Sequence, residues 1–332
     1  MIVPVRVTLG SDPEGFFQRD GNILGSEKFI PGAGKTLVNH GRIVRDGVQF
    51  ELQPIATYGY PQLAANITNL LREVEAIAAA GNATIAYNGL VEVSHKELDS
   101  LSPATRVLGC QPSHNFYGSR PINVDAATYR KRSSGGHIHI GLANLTSIQQ
   151  YDTDYRERLV PLLDIFVGNT AVLLDRDPGA AERRENYGRA GEFRLPSYGL
   201  EYRTLSNFWL RDYALMSLMF SLTEFAVSVL HYSFANRYKW EEHLAGIVDI
   251  DAIALAINTN DFDMALKNFE IVTSFIANQA SSQFQLHGGN IKQFVAFAAK
   301  VGRNGLDEFF PVEGIVERWK KQTGFSTFLS KL

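Results

Sequence analysis

An α+β fold, with an antiparallel sheet and helices on one face, is what the order of patterns along this 332-residue chain predicts. Two observations carry that reading. Short alternating apolar–polar stretches, bounded by turn residues, dominate the first two-thirds with helical patterns inserted between them. The last third is helical throughout. No repeat, low-complexity tract or linker interrupts the chain, so a single domain is expected, with a sheet-bearing core over 1–208 and a helical part over 209–332.

The elements follow in order. Val3 to Leu9 reads as a strand leading into Ser11-Asp12-Pro13-Glu14, and Asp20-Gly21 is a hairpin signal. A glycine-rich loop, Pro31-Gly32-Ala33-Gly34-Lys35-Thr36, precedes the turn Arg45-Asp46-Gly47 and the strand Val48 to Gln53, which Pro54 ends. Pro61 to Ala80 has helical spacing along Leu63, Ile67, Leu70, Leu71, Val74 and Ile77, with proline near its start and Gly81 at its stop. Gly136 to Gly141 is strand-like and a helix follows from about Ser147 to Leu174. Residues 183–208 read as two strands around a turn at Pro196 to Gly199. Helices are expected at about 209–236, 250–258, 261–280, 290–302 and 311–322.

Composition narrows the function classes. The chain is 45% hydrophobic and 20% charged, an ordinary globular balance, and its formal charge of -3 offers no basic field for nucleic acid. The single cysteine, Cys110, precludes an internal disulfide and suits a reducing cytoplasm; it reads as a buried residue. The opening residues lack the charge and apolar run of a signal peptide. Ala214 to Leu230 is the most membrane-like run, but Glu224 interrupts it, and a buried helix is expected there rather than a membrane span.

Five strand candidates share one peculiarity, a pair of functional side chains at i and i+2: Asp12 and Glu14, Glu51 and Gln53, His137 and His139, Glu192 and Arg194, Glu201 and Arg203. Residues two apart on a strand share a face, roughly 7 Å from one another. The alternate positions (Phe50, Leu52, Ile138, Ile140, Phe193, Leu200, Tyr202) are apolar. One sheet face is therefore expected to pack on helices while the other gathers five carboxylates, two imidazoles and two guanidiniums. A merely solvated face is the bland alternative, but such faces favour Lys, Thr, Ser and Gln, and none of the five pairs contains Lys. Clustered carboxylates repel unless cations bind them, and oxygen-rich donors suit Mg²⁺ or Mn²⁺. Arginine beside them suits a phosphate or carboxylate ligand. Arg183, Arg184 and Arg189 add to that supply just before Glu192. Gly34-Lys35-Thr36 is not a Walker A loop, since Phe29 stands where that pattern needs glycine. Lys35 and the loop N–H groups remain candidates for covering phosphates.

The runs Gly135-Gly136-His137-Ile138-His139-Ile140-Gly141, Gly188-Arg189-Ala190-Gly191-Glu192-Phe193-Arg194 and Gly199-Leu200-Glu201-Tyr202-Arg203 resemble the phage phiEco32-like COOH·NH2 ligase, type 2, family. Gly10-Ser11-Asp12-Pro13-Glu14, Gln49 to Pro54 and Gly109-Cys110-Gln111-Pro112 fit in the same order, so the likeness spans about residues 8–210. It implies a glutamine-synthetase-like curved antiparallel sheet and an ATP-dependent carboxylate–amine ligase that forms an amide through an acyl phosphate. On that resemblance Glu14, Glu51, His139 and Glu201 would be metal ligands for Mg²⁺ or Mn²⁺, followed by Asp12 and His137. Arg194 and Arg203 would bind the transferring phosphoryl group or the substrate carboxylate, with Glu192 joining the catalytic set and Lys35, Arg184 and Arg189 helping to hold ATP. The substrates would be small-molecule or peptide carboxylates and amines. Asp12-Pro13-Glu14 departs from the Glu-x-Glu of many relatives outside the phage group, and Pro13 is expected at a strand edge or bulge. Two rival readings are a zinc hydrolase built on His137 and His139, and a non-catalytic phage protein retaining the fold.

Overall fold

The computed structural model describes residues 1–106, 113–119, 129–142, 153–236 and 240–332. Mixed sheet and helix make up the described residues, and every pairing between their named strands is antiparallel, apart from one isolated parallel bridge of Ile2 with Ala280. One six-stranded sheet runs in the order β10 (His114–Asn115), β13 (Glu192–Arg194), β14 (Gly199–Tyr202), β12 (Ile138–Gly141), β1 (Thr8–Ser11) and β7 (Thr57–Tyr58). The other follows β3 (Asn22–Leu24), β2 (Glu14–Arg19), β6 (Gln49–Pro54), β5 (Gly41–Asp46) and β4 (Lys35–Leu37), with β8 (Thr84–Ala86) also on β2. A two-stranded ribbon, β9 (Leu90–Glu92) with β11 (Lys131–Ser133), stands apart.

The two large sheets are one continuous stretch of chain at Asp12-Pro13. β1 ends at Ser11 and β2 begins at Glu14, whose N–H donates to the Gly135 carbonyl just ahead of β12. The Pro13 carbonyl accepts from the Leu52 N–H, so the prolyl nitrogen, which has no proton to give, falls where the ladder changes partners. Pro13 thus lies at a switch between sheets rather than on an outer edge. The result is a curled antiparallel half-barrel.

Alternation does what the apolar positions predicted. Phe50, Leu52, Ile138, Ile140, Phe193, Leu200 and Tyr202 are all buried. The helix Tyr60–Ala80 packs on β5 and β6 through Leu63, Ile67, Leu70 and Val74. Behind it lies Tyr213–Asn236, flanked by Thr153–Leu163. Tyr213–Phe234 is, among the described residues, the one helix long and apolar enough to cross a membrane, and its most apolar stretch is buried as a core helix, with Phe234 at its end exposed. Tyr202 extends this core with a polar tie, its hydroxyl donating to Asp164 at 2.6 Å.

Several boundaries differ from expectation. Residues 180–186 form a helix that takes up the start, 183–186, of the region expected as strand, because the Gly179 turn opens into Ala180-Ala181-Glu182-Arg183, good helix formers. The helix expected to reach Leu174 ends at Val172 and passes through a π-turn at Asp164–Gly168, next to Pro161, which cannot donate in the helical ladder. The start expected at Ser147, and Cys110 with its neighbours, lie outside the described residues. Four short helices, His95–Ser100, Pro103–Arg106, Trp240–Ala245 and Phe325–Leu329, were not anticipated.

Candidate active site

Register turns the five pairs into rows. Arg194 of β13 stands opposite Glu201 of β14, Glu201 opposite His139 of β12, and His139 opposite Gly10 of β1. One pleat further along, the same strands carry Glu192, Arg203, His137 and Asp12; the Arg203 N–H donates to the Glu192 carbonyl, which keeps that row in step. On the second sheet Glu14 stands opposite Glu51. The strand period of two places all of these on the face turned away from the helices.

Two clusters of ligand atoms form on this face. Asp12, His139 and Glu201 bring one donor atom each within 4.8 Å of one another, and Glu14, Asp46 and Glu51 do the same. Asp46 was read only as part of a turn. It closes β5 opposite Gln49, two residues from Val44, which faces Glu51, so strand parity puts its carboxylate beside Glu51. The signal was there in the alternation, had β5 been extended to the turn.

The electrostatics of the clusters differ. Burial raises the pKa of Glu14 well above the usual carboxylate range, and the charges of Asp46 and Glu51 push it further. Burial and Asp12 push Glu51 up to about 8, and burial raises Asp46 as well. Glu14 and Glu51 are each tethered, by the Gly135 N–H at 2.6 Å and by Gln53 Nε2 at 2.6 Å. Three carboxylates that resist ionising together are a cation site in electrostatic terms. In the other cluster burial works to raise Asp12, but His137 and His139 outweigh it and hold Asp12 well below the usual range. Burial opposes the charge on His139, yet Asp12 and Glu201 carry its pKa above the ordinary value.

Asp12 Oδ1 lies 3.0 Å from His137 Nδ1 and 3.3 Å from His139 Nε2, near enough for ion contacts but without hydrogen-bond alignment. His139 Nε2 is thus a buried donor atom lacking a hydrogen-bond partner among the described residues. Together with the strained carboxylates, it makes a donor set that fits hard divalent ions such as Mg²⁺ or Mn²⁺.

His137 occupies a different position. Its ring is buried, with the Tyr187 hydroxyl 2.7 Å from Nε2. That hydroxyl accepts from Arg203 Nη2 at 3.2 Å, so its proton points to Nε2 and the imidazole proton sits on the Asp12 side. Burial lowers the His137 pKa and keeps the ring neutral. With Nε2 on the Tyr187 hydroxyl and Nδ1 facing Asp12 in an ion contact, His137 stands beside Asp12. Tyr187, on the loop before β13, gave no periodic signal in the sequence.

The arginines divide in the same way. Arg203 donates to Glu201 and Tyr187, with its side chain 2% exposed. Arg194 lies 3.6 Å from Glu201 with 27% of its side chain exposed, open to an anionic ligand. Glu192 is buried, and its Oε2 accepts from the Gly188 N–H at 3.0 Å; a positive φ of 76° at Gly188 allows that turn. Arg189 contributes its carbonyl to the same turn, accepting from Thr204 Oγ1.

Two expected residues fall elsewhere. Lys35 pairs with Ile43, which pairs with Leu52 on the helix-facing side, and its amine reaches Glu73 of the helix Tyr60–Ala80. The wrong parity takes it off the carboxylate-bearing face. Arg184 projects from its helix onto Asn260 Oδ1 at 2.8 Å and is buried there, where it joins two helices. Arg183, buried beside it, donates to the carbonyls of Ser134, Thr204 and Leu205 and braces the strands from within.

Fold and site together define a charged trough on a curled antiparallel sheet, able to hold hard cations and to meet an anion. A family model, phage phiEco32-like COOH.NH2 ligase-type 2, matches residues 118–247. The matched segment carries His137, His139, Glu192, Arg194, Glu201 and Arg203 and stops short of Asp12, Glu14, Asp46 and Glu51. The family is one of carboxylate–amine ligases. No curated protein matches the chain. A crystal structure described as a novel glutamine synthase homolog aligns with 96% of this chain and 71% of its own, at 10% identity and a TM-score of 0.38, a likeness of broad outline only.

Proposed function

We propose that this chain is an ATP-dependent carboxylate–amine ligase that joins a small-molecule or peptide carboxylate to an amine through an acyl phosphate. The observation that carries the reading is the pairing of two adjoining carboxylate clusters with a half-buried arginine, in a chain whose 118–247 segment matches a carboxylate–amine ligase family. The first cluster, Asp12, His139 and Glu201, and the second, Glu14, Asp46 and Glu51, would each hold a magnesium or manganese ion.

A carboxylate does not react with an amine directly, because oxide would have to leave. A substrate carboxylate oxygen attacks the γ-phosphorus of ATP and ADP departs. The amine nitrogen then attacks the acyl carbon, the C–O bond to phosphate breaks, and the nitrogen loses a proton. Divalent ions, when bound, neutralise the phosphate charge through both displacements. Arg194 is placed to fork onto the phosphoryl oxygens or the acid substrate. Arg203 holds Glu201, while Tyr187 holds His137 beside Asp12, so the ligand oxygens are oriented before any ion arrives. Gly135 and Gln53 do the same for Glu14 and Glu51.

The test is to incubate the full chain with ATP, Mg²⁺ or Mn²⁺, and pools of amino acids and short peptides, following ADP and new masses. Metal-dependent ADP release with a condensation product is expected. No ADP release with any pool, together with ester or peptide cleavage in Zn²⁺, would sink the reading.

A further inference from the structure

A second polar cavity, of about 220 Å³, lies behind the trough, lined among others by Asp175, Asp177, Ser206, Asn207, Arg211 and Asp307. It is several times the roughly 30 Å³ that one water occupies. Its walls are stiff. Asp175 accepts from Ser206 Oγ at 2.7 Å, and Asp177 accepts from the N–H groups of Gly89 at 3.0 Å and Gly179 at 2.7 Å. Each carboxylate oxygen keeps lone pairs beyond these bonds.

Two buried wall atoms lack a hydrogen-bond partner among the described residues, Tyr87 Oη and Asn207 Oδ1. Asn207 is fully buried, and its Nδ2 is spent on the Glu14 carbonyl at 2.8 Å, which leaves Oδ1 with no partner among the described residues. A buried acceptor of this kind calls for a donor. Arg211 supplies the opposite charge, and its partner Asp307 is 74% exposed on its side chain, a pair that a better anion can displace. Carboxylates and an acceptor beside a loosely held guanidinium match a molecule with both an ammonium and a carboxylate group.

We propose that this cavity binds a free amino acid, its ammonium group on Asp175, Asp177 and Asn207 Oδ1 and its carboxylate on Arg211. The Asn207 side chain bonded to the Glu14 carbonyl makes occupancy felt at a trough ligand, so the bound molecule acts as an effector or as a waiting amine. The binding itself stands apart from the ligase reading.

The experiment is thermal shift and calorimetry on the full chain without nucleotide or metal, using each free amino acid and its N-acetyl and carboxamide forms. At least one free amino acid is expected to bind and both blocked forms to fail. Asp175→Asn keeps the Ser206 and Asp177 contacts and is expected to weaken binding by about tenfold or more. Asp307→Ala, at an exposed position, is expected to tighten it severalfold, and Glu51→Ala to leave it unchanged. Absence of binding by every free amino acid, equal binding by a blocked form, or loss of binding in Glu51→Ala but not in Asp175→Asn would overturn the proposal. If Asp175→Asn fails to fold, the blocked forms and Asp307→Ala still decide it. ADP release plays no part in these outcomes, so they stand whether or not the chain proves to be a ligase.

Discussion

Asp12 lies between two imidazoles, whereas Glu14, two residues along the same segment, lies against Asp46 and Glu51. The first cluster is charge-compensated before any ligand arrives, with Arg203 and Arg194 on Glu201 and the histidines on Asp12. The second has carboxylates only, held apart from full ionisation by burial and mutual repulsion. One cluster is therefore a built ion-pair network that stabilises the fold as it stands. The other is a stored repulsion that a cation relieves. Neighbouring sites on one sheet face are expected to answer the same substitution in opposite ways.

The largest effect is expected from Glu51→Ala in the loaded enzyme. It removes a proposed metal ligand, so a loss of turnover well beyond about a hundredfold is expected in the ADP assay, with the thermal melt of the metal-free protein intact. Turnover within a few fold of wild type would remove Glu51 from the second cluster. Next comes stability in a chelator. Asp12→Asn removes the anion facing His139, whose pKa is raised, and should cost about 3 kcal/mol in urea unfolding. Glu14→Gln and Glu51→Gln should leave stability unchanged or raise it. The contrast collapses if all three destabilise alike.

A smaller effect is expected from pH. Glu51 rises from an ordinary 4.5 to about 8, with Glu14 and Asp46 raised in the same sense. The folded state then binds more protons than the unfolded state across that window, so stability falls as pH increases through it. Metal-free protein should melt progressively lower from about pH 4.5 to about pH 8, and Mg²⁺ or Mn²⁺ should flatten the curve by replacing the bound protons. A profile that is flat without metal contradicts the stored repulsion. Smallest is Lys35→Ala, which breaks one exposed pair with Glu73 and should shift stability by less than about 1 kcal/mol with no change in the KM for ATP. A raised KM would return Lys35 to the site.

Much of the trough was legible because a strand's period is two, so Glu192 and Arg194, or Glu201 and Arg203, declare a shared face without any tertiary knowledge. The same rule reached Glu14 and Glu51. It failed where period says nothing. Arg184 rides a short helix whose direction depends on packing against Asn260, and Tyr187 sits in a loop. Asp46 was hidden by its own turn, where Asp before Gly reads as a hairpin end. Lys35 was misplaced because a glycine-rich loop draws the eye to phosphate, while the face of a strand is settled by its neighbour; only the pairing with Ile43 decides it. His137 was expected as a second-rank ligand on the family resemblance, and spacing could not foretell that its Nε2 meets the Tyr187 hydroxyl.

The dipeptide Asp12-Pro13, where the chain leaves one sheet for the other, has a mechanical meaning as well. Asp12 serves one cluster and Glu14 the other, so the gap between them is set by covalent backbone and by a ring that permits little rotation about its own N–Cα bond. A separation fixed in that way acts as a gauge: side chains can repack and outer strands can breathe, but the two centres keep their spacing. A residue inserted after Pro13 would leave every ligand in the sequence and still put the two halves of the trough out of step.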